Sequence, residues 1–370
     1  MKSDPRKKNI FDSFPSSSKK DWIDVATNEL NDPNPFEKLK ISGQGVTVYP
    51  YYDVSDPINT PFQLSVSNDP YKSNRAWENL SIVHIHKPEI SNQEAILALQ
   101  SGADGILFSL HDNSFSETLL KNIQWQHCSL RFFAQQGQES FFLSLHEFAL
   151  KQGLNKKEIS GSIFWKFPAN DFLKLISAFK EFKKFQSLGI ILIEKESKQE
   201  MISNALAQAV HFIDSATALG IPVSQIVGQI AFSVPVGANF FLEIATLKTL
   251  RRLWYQIIHA YDSSIPSEVH IHAYSTTFTK SQLQPHANMI KSPTAALAAI
   301  LGGCDSLSIE PEDYKNSTST RIARNVSSVL LEESHLGLVA DPTVGSYYID
   351  NLSDQLAQSS WQLFQQQVVS

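Results

Sequence analysis

The sequence predicts an α/β fold, a (β/α)8 TIM barrel preceded by an extended N-terminal arm. From residue 80 onward, short apolar segments rich in β-branched residues alternate with amphipathic helical segments, which is typical of a parallel sheet covered by helices. Eight such strand candidates occur, the number in a closed barrel. Residues 1–78 are instead rich in Pro, Ser and Asn and have little apolar core of their own.

One strand–helix–strand unit shows the plan most clearly. A strand is predicted at Gln229–Val236, and the helix after it carries apolar side chains three or four residues apart, which defines one buried stripe. Asn239 can cap this helix, Glu243 lies in its early turns and Lys248 lies further on, the order that the helix dipole favours. A second strand follows at Val269–Ser275. Two strands joined through such a helix pair in parallel.

The remaining elements repeat this plan. The other strand candidates are Leu80–His86, Gly105–Leu110, Cys128–Phe133, Gly161–Phe167, Leu188–Glu194 and Ser306–Glu310. The helices are expected at about Asn92–Ser101, Ser114–Ile123, Ser140–Gln152, Asn170–Phe185, Lys198–Leu219, Asn239–Tyr261, Ser292–Leu301 and Ser319–Glu333. Gly102 and Gly220 directly follow predicted helices, where a positive φ ends a helix. Residues 79–370 are thus predicted as the barrel with a closing C-terminal helix.

The arm of residues 1–78 contains one predicted helix, Ser16–Glu29, and one predicted strand, Gln44–Tyr52. Because these segments have too few apolar residues to form a separate core, we expect the arm to lie on the barrel or on another chain.

Composition argues against several classes of function. The 370 residues carry 31 Lys and Arg against 37 Asp and Glu, a formal net charge of −6, so no nucleic-acid partner is expected. No run approaches the roughly 18 apolar residues of a membrane span, so no membrane partner is expected. The two cysteines, Cys128 and Cys304, lie far apart, which fits a reducing cytoplasm rather than a disulfide framework. The charged start leads into no apolar segment of the kind a secretory signal needs.

Two His-Ile-His pairs are candidates for chemistry. His84 and His86 on the first strand, and His270 and His272 on the seventh, each place two imidazoles on one strand face. With Lys166 on the fourth strand and Asp305 or Asp313 near the eighth, the first pair would suit a metal-dependent hydrolase. Such a site needs further histidines on strands five and six, and neither strand contains one. Histidines hydrogen-bonded at the strand ends are therefore the favoured interpretation, and no metal ion is expected.

Several motifs resemble those of the methylmalonyl-CoA mutase family. Residues 236–254, Val-Gly-Ala-Asn-Phe-Phe-Leu-Glu-Ile-Ala-Thr-Leu-Lys-Thr-Leu-Arg-Arg-Leu-Trp, are similar to a helix motif of that family. Further similar segments follow in the family's order, at His270–Thr279, Asn288–Ser292, Ala295–Leu307, Arg321–Asn325 and Asp341–Tyr348. The front end resembles the opening of the family's small subunit, at Phe11–Pro15, Trp22 and Val46–Tyr52.

The resemblance implies a barrel whose axis admits the pantetheine of an acyl-CoA. It also implies adenosylcobalamin, held against the C-terminal face by a separate domain, and a radical rearrangement of methylmalonyl-CoA to succinyl-CoA. This sequence contains no "DxHxxG" segment of the kind that binds cobalamin. We therefore expect no cobalamin-binding domain in this sequence and no cofactor bound by this chain, with adenosylcobalamin present in the complex.

Key positions depart from the catalytic members of the family. The histidine that polarises the substrate thioester would fall near Ile191–Glu196, which contains none. Strand seven keeps His272, but Tyr274 replaces a glutamine, and Lys291 replaces an arginine whose bidentate contacts a lysine cannot make. No catalytic residue is expected. By family match, the vestigial substrate and cofactor face comprises His272, Tyr274, Phe278, Asn288 and Lys291.

Four bulky side chains on the strands, Phe164, Phe167, Phe232 and Tyr274, are expected to fill the barrel axis. The sequence therefore predicts a small, non-catalytic mutase subunit that forms a heterodimer with the catalytic large subunit, the arm wrapping that partner. The alternative is an active acyl-CoA mutase barrel served by a separately encoded cobalamin domain. A metal-dependent hydrolase is the remote third interpretation.

Overall fold

The predicted barrel is present. The computed structural model describes residues 17–56, 64–65, 73–111, 113–195, 197–276 and 286–369. Eight parallel strands close in the order β10-β3-β4-β5-β6-β7-β8-β9, a (β/α)8 TIM barrel. They are β3 Glu78–His84, β4 Gly105–Ser109, β5 Ser129–Ala134, β6 Ser160–Trp165, β7 Lys184–Ile191, β8 Ile230–Val236, β9 His270–Ser275 and β10 Ser306–Ser308. All eight strand predictions are confirmed, with ends displaced by a few residues.

Helices cover the outside of the barrel and precede it in the arm. They are α1 Lys19–Leu30, α2 Pro35–Leu39, α3 Pro88–Gln100, α4 Glu139–Lys151, α5 Phe172–Phe179, α6 Lys198–Thr217, α7 Val223–Val227, α8 Phe240–Tyr261, α9 Ala287–Gly302, α10 Ser317–Glu332 and α11 Tyr347–Val369. None of the helices in the described ranges is long and apolar enough to cross a membrane. Gly102 and Gly220 adopt φ values of 93° and 84° beyond their helices, as predicted.

Two helix predictions are wrong in extent. The segment predicted as helix Ser114–Ile123 forms only a 3-10 helix, Glu117–Leu120. The side-chain amide of Asn92 donates to the carbonyl oxygens of Leu119 and Lys121, at 2.9 Å each, and so takes acceptors that a continuing α-helix would use. The helix predicted to reach Phe185 ends at Phe179 because β7 already begins at Lys184.

Helix α8 begins differently from the prediction. Asn239 is the N-cap residue, but its side chain makes no capping hydrogen bond. The carboxylate of Glu243 instead accepts from the backbone N–H of Gly237 at 3.0 Å and pairs with Lys198 at 2.8 Å. Two basic residues of α8 likewise make ion pairs, Arg251 with Asp305 and Arg252 with Asp354. The charged side chains of α8 therefore act mainly through ion pairs with other parts of the chain, and less through the helix dipole.

The described part of the arm packs on its own barrel. Strands β1 Ile41–Gly43 and β2 Val46–Val48 form a short antiparallel hairpin. Val46 is buried against Leu242 on α8 and against Leu352 and Leu356 on α11. The backbone of Thr47 exchanges two hydrogen bonds of 3.0 Å with the side chain of Gln355. The inner side of the arm is thus a part of the barrel's helical layer.

A buried ion pair joins α8 to the segment before α11 and to the arm. Lys248 lies 2.9 Å from the carboxylate of Asp341 and donates to the hydroxyl of Thr343 at 2.8 Å. Asp341 also accepts from the backbone N–H of Leu64 at 3.1 Å. Both charged side chains are almost fully excluded from solvent. The pair therefore links three separate parts of the chain.

The substitution Lys248→Met tests this link. It leaves the buried carboxylate of Asp341 without its cation, and we expect the free energy of unfolding in urea to fall by about 3–5 kcal/mol. Lys174→Met is the matched control, because Lys174 and Asp171 form an exposed pair and its removal should change stability by about 0.5 kcal/mol or less. Equal effects of the two substitutions would contradict the assigned role.

Candidate functional site

At the amino-terminal end, a charged and polar layer fills the barrel interior. Arg131 on β5 is buried, lies 2.5 Å from the carboxylate of Glu78 on β3 and donates to the hydroxyl of Ser162 on β6 at 2.5 Å. Ser162 in turn donates to Gln186 on β7 at 2.7 Å. His270 on β9 hydrogen-bonds Ser306 on β10 at 2.9 Å through Nε2. These side chains form two hydrogen-bonded groups in the interior, one around Arg131 and one that joins His270 to Ser306.

His272 occupies the middle of the barrel. Its Nδ1 lies 2.8 Å from the hydroxyl of Ser233 on β8, and its Nε2 lies 2.7 Å from the hydroxyl of Ser308 on β10. Burial, and then the charges of Arg131 and His270, hold the pKa of His272 well below its usual value. The ring is therefore neutral at pH 7, and both of its nitrogens already have partners.

Aromatic rings cover His272 toward the carboxyl-terminal end. The ring of Phe164 stacks on it with a centroid distance of 5.2 Å, and Phe133 contacts it edge-on at 5.8 Å. Tyr274 lies 5.3 Å from Phe133 and 5.9 Å from His272. Burial, and then the nearby Glu194 and Glu310, raise the pKa of Tyr274 far above its usual value. The tyrosine is therefore a neutral part of this packing.

The predicted filling of the axis is right for Phe164 and Tyr274 and wrong for two other residues. Phe167 lies beyond the end of β6 and is 51% exposed. Phe232 points outward and packs against Trp254 of α8 at 5.4 Å. Sequence reasoning missed both Arg131 and Phe133, which are two residues apart on β5 and therefore share its inward face.

The carboxyl-terminal mouth holds a pocket of about 360 Å³. Four of the side chains that line it belong to the strand ends or to the residues just after them: Phe133, Ile191, Pro235 and Tyr274. Lys166 and Glu194 lie at the same pocket. The rings of Phe133 and Tyr274 thus separate this pocket from the middle of the barrel.

The predicted vestigial face is only partly brought together. His272 and Tyr274 lie within the barrel on β9, whereas Asn288 and Lys291 lie half-buried in the first turns of α9. Phe278 lies outside the described residues. The prediction of strand histidines held by hydrogen bonds is confirmed for His270 and His272.

The hydrolase interpretation gains no support. Within the described ranges, no group of three or more His, Cys, Asp or Glu side chains is placed so that it holds a metal ion. Of the two aspartates considered for that site, Asp305 pairs with Arg251 at 2.8 Å and accepts from the backbone N–H of Ile271 at 2.8 Å. Asp313 accepts from the backbone N–H of Lys315 at 2.9 Å.

The substitution His272→Ala tests the structural role of this histidine. It removes a buried ring and leaves the hydroxyls of Ser233 and Ser308 without their partner, so we expect the free energy of unfolding to fall by about 2–4 kcal/mol. Urea denaturation measures this change. The control His127→Ala alters an exposed histidine and should leave stability nearly unchanged, and a similarly small effect at position 272 would refute the structural role.

Comparison with known proteins agrees with the resemblance that the sequence motifs indicate. The family model described as methylmalonyl-CoA mutase matches residues 195–368. The methylmalonyl-CoA mutase small subunit of Porphyromonas gingivalis is 29% identical over 395 residues, covering 97% of this chain and 64% of that protein. The small subunit of Streptomyces virginiae is 32% identical over 174 residues, covering 46% of this chain and 28% of that protein. This chain therefore spans less than two thirds of the length of these relatives.

Among solved structures, dihydropteroate synthase of Yersinia pestis is similar with 13% identity and a TM-score of 0.39, covering 78% of this chain and 98% of that one. A likeness at this TM-score supports no inference about the present chain. The match to the family model over residues 195–368 and the two small-subunit relatives agree with the sequence motifs, so this part of the chain is similar to methylmalonyl-CoA mutase.

Proposed function

We propose that this chain is the non-catalytic small subunit of an adenosylcobalamin-dependent methylmalonyl-CoA mutase. In this proposal it acts in the cytoplasm as a scaffold in a heterodimer with the catalytic large subunit. The observation that carries the proposal is the filled barrel axis. Arg131, His272 and the rings of Phe133 and Phe164 occupy successive levels where a mutase barrel would admit the substrate's pantetheine.

Opening this axis would be costly. A pantetheine chain would have to displace Arg131 from Glu78 and Ser162, which bind it at 2.5 Å each. Breaking a buried ion pair costs about 3–5 kcal/mol when one charge is left without a partner. It would also have to displace the stacked rings of Phe164 and His272. A substrate that binds in this way would lose much of its affinity to this rearrangement.

Among the described residues, the middle of the barrel also has no free imidazole placed to polarise a thioester. His272 is the imidazole that lies in the middle of the barrel, and both of its nitrogens bond serine hydroxyls. Loss of one donor to a developing oxyanion costs an enzyme about 2.7–4 kcal/mol of transition-state stabilisation. The filled axis and the missing donor thus both favour a chain without its own catalysis.

Charge at the amino-terminal end disfavours a nucleotide carrying phosphates. The cavity of about 940 Å³ there is lined by one lysine, Lys184, and by four carboxylates, Glu78, Asp104, Glu158 and Glu332. A neighbouring cavity of about 640 Å³ is lined by Arg75, Arg251 and Lys183 and by the carboxylates of Glu268 and Asp305. Both of these arginines face Asp305, at 4.0 and 2.8 Å, and also donate to backbone carbonyls. Their charge is therefore largely neutralised within the protein.

Adenosylcobalamin does not fit the carboxyl-terminal mouth of this chain. The pocket there has a volume of about 360 Å³, at the lower end of the range for small-ligand sites. A corrin ring with its substituents is larger than such a pocket, and the rings of Phe133 and Tyr274 line the pocket where the axis would continue. We therefore assign the cofactor of the complex to the partner and derive no chemical step from it here.

The arm of residues 1–78 is the part of the chain that we propose contacts the large subunit, residues 79–370 forming the barrel. Its hairpin packs inward on α8 and α11. Its outer side exposes apolar side chains, with Ile41 71% and Val54 80% accessible. Burial of these apolar side chains against a second protein would add to the free energy of that contact. The scaffold role thus has a candidate contact surface.

The proposed lack of catalysis predicts that the purified full-length chain binds neither methylmalonyl-CoA nor adenosylcobalamin at concentrations up to tens of micromolar. Isothermal titration calorimetry measures both. The same chain mixed with a separately produced cobalamin-domain protein should show no isomerisation of the thioester. Micromolar binding of the acyl-CoA together with turnover in that mixture would instead establish the active-barrel alternative.

The arm surface predicts a selective loss of partner binding. Ile41→Asp and Val54→Asp alter exposed side chains, so each variant should unfold like the parent protein but bind the catalytic large subunit at least tenfold more weakly. Leu97→Asp on α3 is the matched control, because Leu97 is 63% exposed on the barrel. Affinity measured by surface plasmon resonance that is the same for all three variants would exclude the arm as the contact.

A further inference from the structure

Helix α10 carries two arginines whose positive charges are not balanced by the described part of the chain. Arg321 and Arg324 are three residues apart and are therefore neighbours on the helix surface. Among the described residues, neither guanidinium has a hydrogen-bond or ion-pair partner, and the Nε of Arg324 is buried without one. The four other arginines that the structure describes each pair with a carboxylate.

This arrangement is unfavourable for the free chain. Burial, and then the charge of Arg321, lower the pKa of Arg324, so the two cations repel each other where one of them is partly removed from water. The first turn of α10 contains no acidic residue. Glu332, the last residue of the helix, is eight residues from Arg324, about 12 Å along the helix axis, and does not reach it. A carboxylate from outside the chain would therefore relieve the repulsion.

The shape of this surface fits a protein better than a small anion. Arg321, Asn325 and Val329 follow one another at successive turns of α10 and are exposed, Val329 to 42%. Neither arginine lines any of the three cavities described above. A small anion would stay in water on such a convex surface. A second protein can cover it, and arginine is enriched in the contacts between proteins.

The end of the arm continues this surface. Trp77 donates from its indole nitrogen to the hydroxyl of Ser327 on the inner side of α10, at 2.8 Å, and both residues are buried. Asn74 donates to the backbone carbonyl of Leu338, beyond the end of the same helix, also at 2.8 Å. The arm thus begins against α8 and α11 and ends against α10. A partner that follows the arm along its length reaches α10.

We propose that Arg321 and Arg324 bind an acidic patch on the catalytic large subunit, whose carboxylates accept the hydrogen bonds that the two guanidiniums lack within this chain. This inference rests on the proposed heterodimer and adds a second contact to that of the arm. The planar guanidinium matches a carboxylate through two parallel hydrogen bonds. A nucleic acid would need a larger basic face, and these two arginines are the only basic residues of α10.

Substitution of the arginines in the full-length chain tests the proposal. Arg321→Gln and Arg324→Gln should each weaken binding to the large subunit at least tenfold in surface plasmon resonance, because each leaves a carboxylate of the partner without its cation. Raising NaCl from about 50 mM to about 500 mM should weaken binding of the parent chain more than that of the double variant. Lys157→Gln is the matched control. Lys157 is exposed and precedes β6, across the barrel from β10, and its substitution should leave binding unchanged.

Urea denaturation of the free variants separates binding from a structural role. Because each substitution removes one of two repelling charges, the unfolding midpoint should equal or exceed that of the parent chain. Weaker binding that is accompanied by a lower midpoint would assign the arginines to the fold and overturn the proposal. Undiminished binding in both variants would overturn the docking site alone and leave the heterodimer standing. A parent chain that does not bind the large subunit would refute the proposed function, and this inference with it.

Discussion

The hydrogen bonds of His272 are the interaction on which the interior of this barrel depends. Ser233, His272 and Ser308 lie on three consecutive strands, and the two contacts of 2.8 and 2.7 Å connect those strands across the inside of the sheet. An eight-stranded barrel is just wide enough for side chains to fill its interior. A ring fixed at its centre therefore determines where Phe133 and Phe164 can pack. The closed axis follows from this arrangement, and so does the proposed absence of substrate binding.

Helix α8 connects the outer helical layer through ion pairs, as His272 connects the strands inside the barrel. Glu243, Lys248, Arg251 and Arg252 each pair with an opposite charge from a different part of the chain. Such pairs gain little where they are exposed, but the loss of one partner is costly where they are buried. The nearly inaccessible pair of Lys248 and Asp341 also fixes the arm, because Asp341 accepts from the backbone of Leu64. The arm is therefore positioned by the same helix that covers β8 and β9.

The sequence was most informative where one periodicity dominated. All eight strands could be predicted, because buried parallel strands are short apolar runs between helices. Which side chains of a strand face the barrel interior was harder to predict, because a strand that is buried on both sides is apolar on both sides. Phe232 and Phe164 therefore look alike in the sequence, although Phe232 packs outward on Trp254 and Phe164 inward on His272. Polar residues within the strands indicate which face points inward, because Arg131 and Ser162 lie on the inward faces of β5 and β6.

The filled axis fits the proposed lack of catalysis. A barrel that admits a substrate must keep a bore, and small side chains along a bore contribute little burial. Each buried aromatic ring contributes about 1.5–3 kcal/mol relative to an exposed one. In a subunit whose partner performs the reaction, rings such as Phe133 and Phe164 can occupy that space without loss of activity in the complex. Filling the axis adds buried apolar contacts inside the barrel, which suits the proposed scaffold function.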